Sequence, residues 1–154
     1  MLTAEERREI EEELPHYRDR QSLTIEALKI VQRHRGWISD EALADVASFL
    51  EVSAEDLEGV ATFYNLLFRR PVGRHVVLVC DSVSCWIMGC DGLRDRLVRE
   101  HGMRFGATDE QGRFTLLPVP CLGACDRAPA LQIDDDLHGN VDGGSLGALL
   151  EPYR

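Results

Sequence analysis

HVVLVC, from His75 to Cys80, is followed within five residues by a second cysteine in DSVSC, residues 81–85. The first six residues form a continuous apolar and β-branched run, which is typical of a strand buried on both faces of a sheet. Upstream, the helical pattern stops at Pro71-Val72-Gly73, and the hydrophobic period changes there. This stretch therefore predicts the start of an α/β domain, with two cysteines at the end of its first strand.

The segments that follow alternate between helical and strand-like patterns. We predict a helix from about Cys90 to Glu100, strands over Arg113–Val119, Ala130–Ile133 and Leu137–Val141, and a last helix starting near Gly144. Because the element order is β-α-β-β-β-α, residues 71–154 are expected to form an α/β domain with a mixed sheet.

Residues 1–70 carry a different pattern, with four helical segments joined by short connections. Helices are predicted from about Thr3 to Leu14, from about Ser22 to His34, and after the N-cap residues Ser39 and Ser53, with Gly36 ending the second. The predicted fold class is thus α+β in two parts, a small N-terminal helical bundle followed by the α/β domain. Phe63 and Tyr64 are expected to anchor the core or the joint between the halves.

The composition excludes several function classes. Among 154 residues, 27 are acidic and 17 are Lys or Arg, so the formal net charge is −10. This balance argues against a protein that binds nucleic acid or an anionic membrane surface, because both need an excess of positive charge. The chain opens without a secretion signal, and its apolar runs are too short to span a bilayer, so we expect a cytoplasmic protein without direct membrane insertion.

The cysteines give the most specific signal. There are five, an odd number, and cytoplasmic cysteines are more often metal ligands or catalytic thiols than disulfides. Cys80 and Cys85 are separated by four residues, Cys121 and Cys125 by three, and each pair follows a predicted strand. If these strands are neighbours in one sheet, the four thiols converge at one edge. Four soft thiolates suit zinc or an iron–sulfur cluster.

The spacing alone leaves zinc and iron–sulfur open, so a zinc-stabilised interaction module remains an alternative. The small residues Ser82, Ser84 and Gly123 favour a cluster, because they let backbone N–H groups approach the sulfurs. The chain has no C-x-x-C motif, so thiol–disulfide exchange is not expected. Cys90 is expected to be a small, partly buried residue outside the ligand set.

Several motifs together resemble one known family, the E-type iron–sulfur subunits in the NADH-binding module of respiratory complex I. The resemblance covers about His16 to the C-terminus. It rests on Gln32 with RGWI at 35–38, GVATFY at 59–64, PVG at 71–73, CDSVSC at 80–85, GRFTLL at 112–117, and CLGAC at 121–125 with Ala128-Pro129.

The resemblance implies a thioredoxin-like C-terminal domain with one 2Fe–2S cluster on Cys80, Cys85, Cys121 and Cys125. It implies electron transfer within a respiratory NADH-quinone oxidoreductase, with no catalytic residue and no activity in the isolated chain. FMN and NADH are then expected on the flavin subunit beside it, among the other peripheral-arm subunits, at the cytoplasmic face of the inner membrane. The equivalent subunit of an NAD-dependent formate dehydrogenase or NAD-reducing hydrogenase carries the same motifs and stays an alternative.

Overall fold

The computed structural model describes all residues from Met1 to Arg154, and the first half of the chain in it is helical. Four helices are formed, α1 (Ala4–Glu13), α2 (Thr24–Arg35), α3 (Asp40–Leu50) and α4 (Ala54–Phe63). A short 3-10 helix at Leu14–His16 follows α1, with Pro15 at a position that needs no backbone N–H. These helices lie in the first of two compact units, Met1–Pro71 and Val72–Arg154.

The helix ends follow from local sequence. The side chains of Ser39 and Ser53 accept hydrogen bonds from the N–H groups of Ala42 and Asp56, so both predicted N-caps are confirmed. The predicted end of α2 is also confirmed, because Gly36 adopts the left-handed conformation, with φ of 78°, that ends a helix without steric cost. The buried faces of α1 to α4 form one hydrophobic core.

A buried ion pair joins α1 to α2. The Arg35 guanidinium donates from Nε to Glu6 Oε1 at 2.6 Å and from Nη2 to Glu6 Oε2 at 2.7 Å, while Glu6 Oε2 also accepts from the Thr3 N–H. The Glu6 side chain is only 1% exposed. The hydrogen bonds from Arg35 outweigh burial and lower the pKa of Glu6 from 4.5 to about 2.

Two polar side chains fix the segment that follows α4. The Gln32 amide donates to the Leu66 carbonyl at 2.8 Å and accepts from the Phe68 N–H at 2.6 Å. Arg69 donates to Glu58 at 2.9 Å and to Asp40 at 2.7 Å. Bidentate and multiple contacts of this kind give geometric specificity as well as energy.

Of the two roles predicted for Phe63 and Tyr64, that of a core anchor is wrong, and that of a joint between the halves stays a prediction. Their side chains are 79% and 42% exposed, and their rings stack edge to face with centroids 5.2 Å apart. Phe63 lies in α4 two residues after Ala61, off the face that buries Leu57 and Ala61, and α4 ends before Tyr64.

The second unit is built on a five-stranded mixed sheet. Its elements are β1 (His75–Cys80), α5 (Val83–Ile87), α6 (Cys90–Arg99), β2 (Ala107–Thr108), β3 (Phe114–Val119), β4 (Leu131–Ile133), β5 (Asp136–His138) and α7 (Leu146–Leu150). The strand order is β2-β3-β1-β4-β5; β1 is parallel to β3 and antiparallel to β4. The predicted α+β class and mixed sheet are confirmed, and the five-residue α5 and two-residue β2 are additions.

The position of β1 beside β3 determines where the cysteine loops emerge. Cys80 lies opposite Val119 in the parallel register, and the N–H of Asp81 donates to the Val119 carbonyl at 2.8 Å. Both strands therefore end at the same edge of the sheet. A core of apolar side chains from the sheet, α6 and α7 supports this edge. None of the helices combines the length and hydrophobicity needed to cross a bilayer.

Candidate metal centre

The four predicted ligand cysteines belong to two loops at this common edge of the sheet. Cys80 is the last residue of β1, and Cys85 lies in α5 directly after it. Cys121 follows β3 by two residues, and Cys125 begins a 3-10 helix at 125–127. Thus the first cysteine of each loop lies near the end of a strand, and the second lies in a short helical turn.

The two loops differ in burial. Cys80 and Cys85 are 2% and 1% exposed, whereas Cys121 and Cys125 are exposed to solvent. Burial is the main reason that the pKa of Cys85 is raised. At Cys121 the main effect is a hydrogen bond from the Gly123 N–H, which lowers the pKa of that thiol.

The Cys121 and Cys125 sulfurs have the separation expected of two ligands on one metal ion. Their Sγ atoms are 3.7 Å apart. For metal–sulfur bonds of about 2.3 Å, tetrahedral coordination requires a sulfur–sulfur distance of about 3.8 Å. The pair can therefore bind one iron or zinc ion without rearrangement of the loop.

A backbone donor supports this exposed pair. The Gly123 N–H lies 3.3 Å from the Cys121 sulfur, and Gly123 has a φ of 74°, a conformation that other residues rarely adopt. The donor expected at Gly123 is therefore present. Donors were also expected at Ser82–Ser84, but the only backbone N–H that forms a hydrogen bond to a cysteine sulfur is that of Gly123.

The strand pairing brings the two cysteine pairs to one edge of the sheet, because Cys80 lies opposite Val119, two residues before Cys121. No three His, Cys, Asp or Glu side chains are gathered closely enough to hold a single metal ion. The donors therefore come as two pairs rather than as one four-point cage, and two pairs of cysteines are what a binuclear cluster with four cysteine ligands requires.

One contact near the site was not predicted. The Ala130 carbonyl, just before β4, accepts a hydrogen bond from the Cys80 N–H at 3.3 Å. Sequence reasoning missed it because the acceptor is a main-chain group, and its residue type carries no signal. The peptide bond between Ala128 and Pro129, just before it, is cis, a point that the sequence left open.

The fifth cysteine lies beside the site. Cys90 is 2% exposed, and its Sγ is 3.1 Å from the carbonyl oxygen of Cys80. Burial is the largest cause that raises the pKa of Cys90, to about 11. Cys90 is thus a protonated thiol at neutral pH, in contrast to the thiolates that a metal site needs.

Apolar side chains surround Cys85 on the outer surface. Val83, Trp86, Ile87 and Met88 are between 60% and 70% exposed. The 62% exposure of Trp86 in this chain leaves a large apolar surface next to a candidate ligand.

Comparison with known proteins relates this chain to others of one family. The family model described as thioredoxin-like [2Fe-2S] ferredoxin matches residues 10–154. A relative from Pseudomonas aeruginosa (strain PAO1), the E subunit of NADH-quinone oxidoreductase, is 50% identical over 153 residues, which cover 99% of this chain and 92% of the relative. The protein of the same name from Escherichia coli (strain K12) is 48% identical over the same lengths.

A solved structure shares the fold. A chain of an NAD⁺-reducing [NiFe]-hydrogenase in the air-oxidised state superposes with a TM-score of 0.70 and 23% sequence identity. The match covers 82% of this chain and 22% of the hydrogenase chain. At this level of identity the similarity shows the fold alone.

Proposed function

The chain belongs to the thioredoxin-like [2Fe-2S] ferredoxin family. From this premise we propose that it is the E-type electron-transfer subunit of a respiratory NADH-quinone oxidoreductase. It carries one 2Fe–2S cluster on Cys80, Cys85, Cys121 and Cys125, and exchanges single electrons with the flavin of a neighbouring subunit. The relatives named as the E subunit of NADH-quinone oxidoreductase, near half identical over almost the whole chain, support this complex rather than another.

One observation carries the ligand assignment: two cysteine pairs leave one sheet edge, and one pair already has the sulfur spacing of a shared metal ion. When bound, a 2Fe–2S cluster accepts and releases one electron at a time. Cys80 and Cys85 exclude water from one side of it. The Gly123 N–H donates to the Cys121 sulfur and stabilises negative charge there, which offsets part of the cost of adding an electron.

The partner supplies the chemistry that this chain lacks. NADH gives up two electrons as a hydride, and a flavin is needed to pass them on singly. We propose that FMN and NADH bind the neighbouring flavin subunit and that this chain is part of the enzyme without turning over NADH alone. Its proposed location is the peripheral arm of the complex, with its other subunits, at the cytoplasmic face of the inner membrane.

We also propose that residues 1–70 and 71–154 are separate domains, and that the helical domain supplies a docking surface for the flavin subunit. The exposed stack of Phe63 and Tyr64, followed by Leu66 at 47% exposure, is an apolar surface suited to this role. A 71–154 fragment is expected to hold the cluster and to bind the flavin subunit weakly. Undiminished binding by the fragment would contradict the role of the helical domain.

The central test is anaerobic reconstitution of the purified chain with iron and sulfide. We expect a red-brown protein with two iron and two sulfide ions per chain, bleached by dithionite, with a rhombic EPR signal in the reduced state. A colourless chain with one tightly bound zinc ion would support the zinc-stabilised module instead. NADH oxidation by the chain without its partner would contradict the proposed division of labour.

The choice between complexes needs a separate experiment. Affinity purification of the chain from its native cells is expected to recover a flavin subunit together with the quinone-reducing subunits. Recovery of a formate dehydrogenase or hydrogenase large subunit would place the same electron-transfer chemistry in another enzyme.

A further inference from the structure

The buried thiol of Cys90 lies outside the proposed ligand set, yet it contacts a ligand residue. Cys90 is the first residue of α6, and its Sγ is 3.1 Å from the Cys80 carbonyl oxygen in a buried contact. A protonated thiol is a weak donor, and the carbonyl is the acceptor. The contact therefore ties the start of α6 to the end of β1.

The Cys80 carbonyl needs this donor because its partner in the sheet is missing. The pairing of β1 with β4 ends at Val79 and Leu131. One residue further, the Cys80 N–H donates to the Ala130 carbonyl at 3.3 Å, but the reciprocal bond from the Ala130 N–H to the Cys80 carbonyl is not formed. A buried carbonyl without any donor is costly, so the Cys90 thiol takes the place of the missing N–H.

The Ala130 N–H is not paired with the Cys80 carbonyl. The end of the sheet therefore replaces one backbone hydrogen bond with one from a cysteine thiol, that of Cys90. This replacement fixes the backbone of Cys80, the residue that ends β1 and carries a proposed ligand sulfur.

We propose that Cys90 is a positioning residue for the cluster: its S–H group holds the Cys80 carbonyl and so fixes the backbone that carries the Cys80 sulfur. This inference rests on the proposed function, since it assigns a role beside the same four ligands. Cys90 itself binds no iron. Its effect reaches the cluster through the backbone of Cys80, one of the two buried ligands.

Two matched pairs of variants of the full chain separate the hydrogen bond from packing. Cys90→Ser keeps a donor and Cys90→Ala removes it. Cys90→Thr and Cys90→Val have the same shape and differ only in the hydroxyl group. Circular dichroism identifies the variants that fold, and the pair that folds better is used for the comparison.

The first readout is the cluster in the reconstituted chain. Loss of the donor is expected to shorten the half-life of the cluster against an iron chelator roughly fivefold, the scale of one lost hydrogen bond. It is also expected to shift the EPR g values and the midpoint potential. The Ser and Thr variants are expected to stay within about twofold of the parent chain in half-life. Equal behaviour within each pair would mean that Cys90 only fills space, and would overturn the proposal.

The second readout does not need the cluster. In the cluster-free chain, amide hydrogen exchange at Cys80 and Asp81 is expected to be roughly fivefold faster in the Ala or Val variant than in its hydroxyl-bearing counterpart. Unchanged exchange across both pairs would overturn the positioning role even if the cluster forms. A parent chain that binds no 2Fe–2S cluster but shows the exchange difference would contradict the proposed function and leave the hydrogen-bond assignment standing.

Discussion

The two compact units use their buried polar groups in opposite ways. In the helical unit both oxygens of the buried Glu6 carboxylate accept hydrogen bonds from Arg35 or Thr3, so neither is available to an external ligand. In the α/β unit the thiols of Cys80 and Cys85 are free and buried, and neither is paired with a charged side chain. This difference shows when a buried polar group indicates function. It does so when the hydrogen bonds and charges within the chain do not satisfy the group, so that it is left for a ligand.

The largest effect is expected from loss of a ligand on the exposed side of the site. Cys125→Ser removes one of the two sulfurs that lie 3.7 Å apart, so the cluster content after reconstitution should fall to near zero. That loss exceeds the roughly 10–100-fold cost of losing a group that merely orients a ligand. Iron and sulfide analysis with EPR measures it.

The control for this prediction is the cysteine at the start of α6, beside the site. Cys90→Ser leaves all four ligands in place and should retain the cluster. If Cys125→Ser kept a full cluster while Cys90→Ser lost it, Cys90 would be a ligand and the assignment of four would be wrong. The thermal unfolding of the helical unit should be the same in both variants.

In the helical unit the largest effect is expected from breaking its buried ion pair. Arg35→Met leaves the Glu6 carboxylate, 1% exposed, without its partner, and should lower the free energy of unfolding by about 3–5 kcal/mol. Arg33→Met is the matched control, because Arg33 is 57% exposed and its pairs with Glu9 and Glu26 should be worth less than about 1 kcal/mol.

The measurement needs a probe confined to this unit. The chain has two tryptophans, Trp37 in the first unit and Trp86 in the second, so a Trp86→Phe background leaves Trp37 fluorescence to report urea unfolding of the helices. Equal losses in Arg35→Met and Arg33→Met would show that the Glu6–Arg35 pair has no special weight.

The same pair should make stability depend on acid pH. The folded pKa of Glu6 is lowered from 4.5 to about 2, so its contribution is complete above pH 4.5 and is lost as the pH falls toward 2. The shift corresponds to about 3 kcal/mol at neutral pH. Urea unfolding of the cluster-free chain between pH 6 and pH 2 measures the free energy of unfolding, and the difference from Glu6→Gln gives the contribution of Glu6. If the free energies of the two chains changed in parallel with pH, this prediction would be contradicted.

The comparison also explains what the sequence could predict. The four helices, the serine caps of α3 and α4, and the strands β1 and β3 follow from hydrophobic period and turn chemistry, which act over a few residues. The cysteine pairs could be predicted as a site for the same reason. Local patterns place Cys80 and Cys121 at the ends of strands, and the assumption that these strands are neighbours brings the pairs together. The four-residue spacing of Cys80 and Cys85 did not by itself distinguish a cluster from zinc.

The remaining features depend on contacts between distant residues. The role of Ala130 arises from a main-chain carbonyl, and the hydrogen bond of Cys90 joins two elements; neither leaves a mark in residue type. The exposure of Tyr64 was mispredicted because an apolar residue at helical spacing gives no sign of where the helix ends. Long-range geometry, rather than propensity, decides these points.

The smallest effects separate two glycines, one from each unit. A Cβ at Gly73 would lie 2.8 Å from the backbone carbonyl of Arg113, and the Gly73 N–H donates to Thr115 at 2.6 Å, so the chain cannot move aside. Gly73→Ala should therefore destabilise the α/β unit by about 1–3 kcal/mol through overpacking.

Gly59 lies within α4, and a methyl group added there would have no atom within 4 Å. Gly59→Ala should therefore stabilise the helical unit by up to about 1 kcal/mol through helix propensity. Chemical unfolding of the two variants should thus give changes of opposite sign. The same sign in both would show that the close approach at Gly73 does not control stability, and that backbone entropy dominates at both sites.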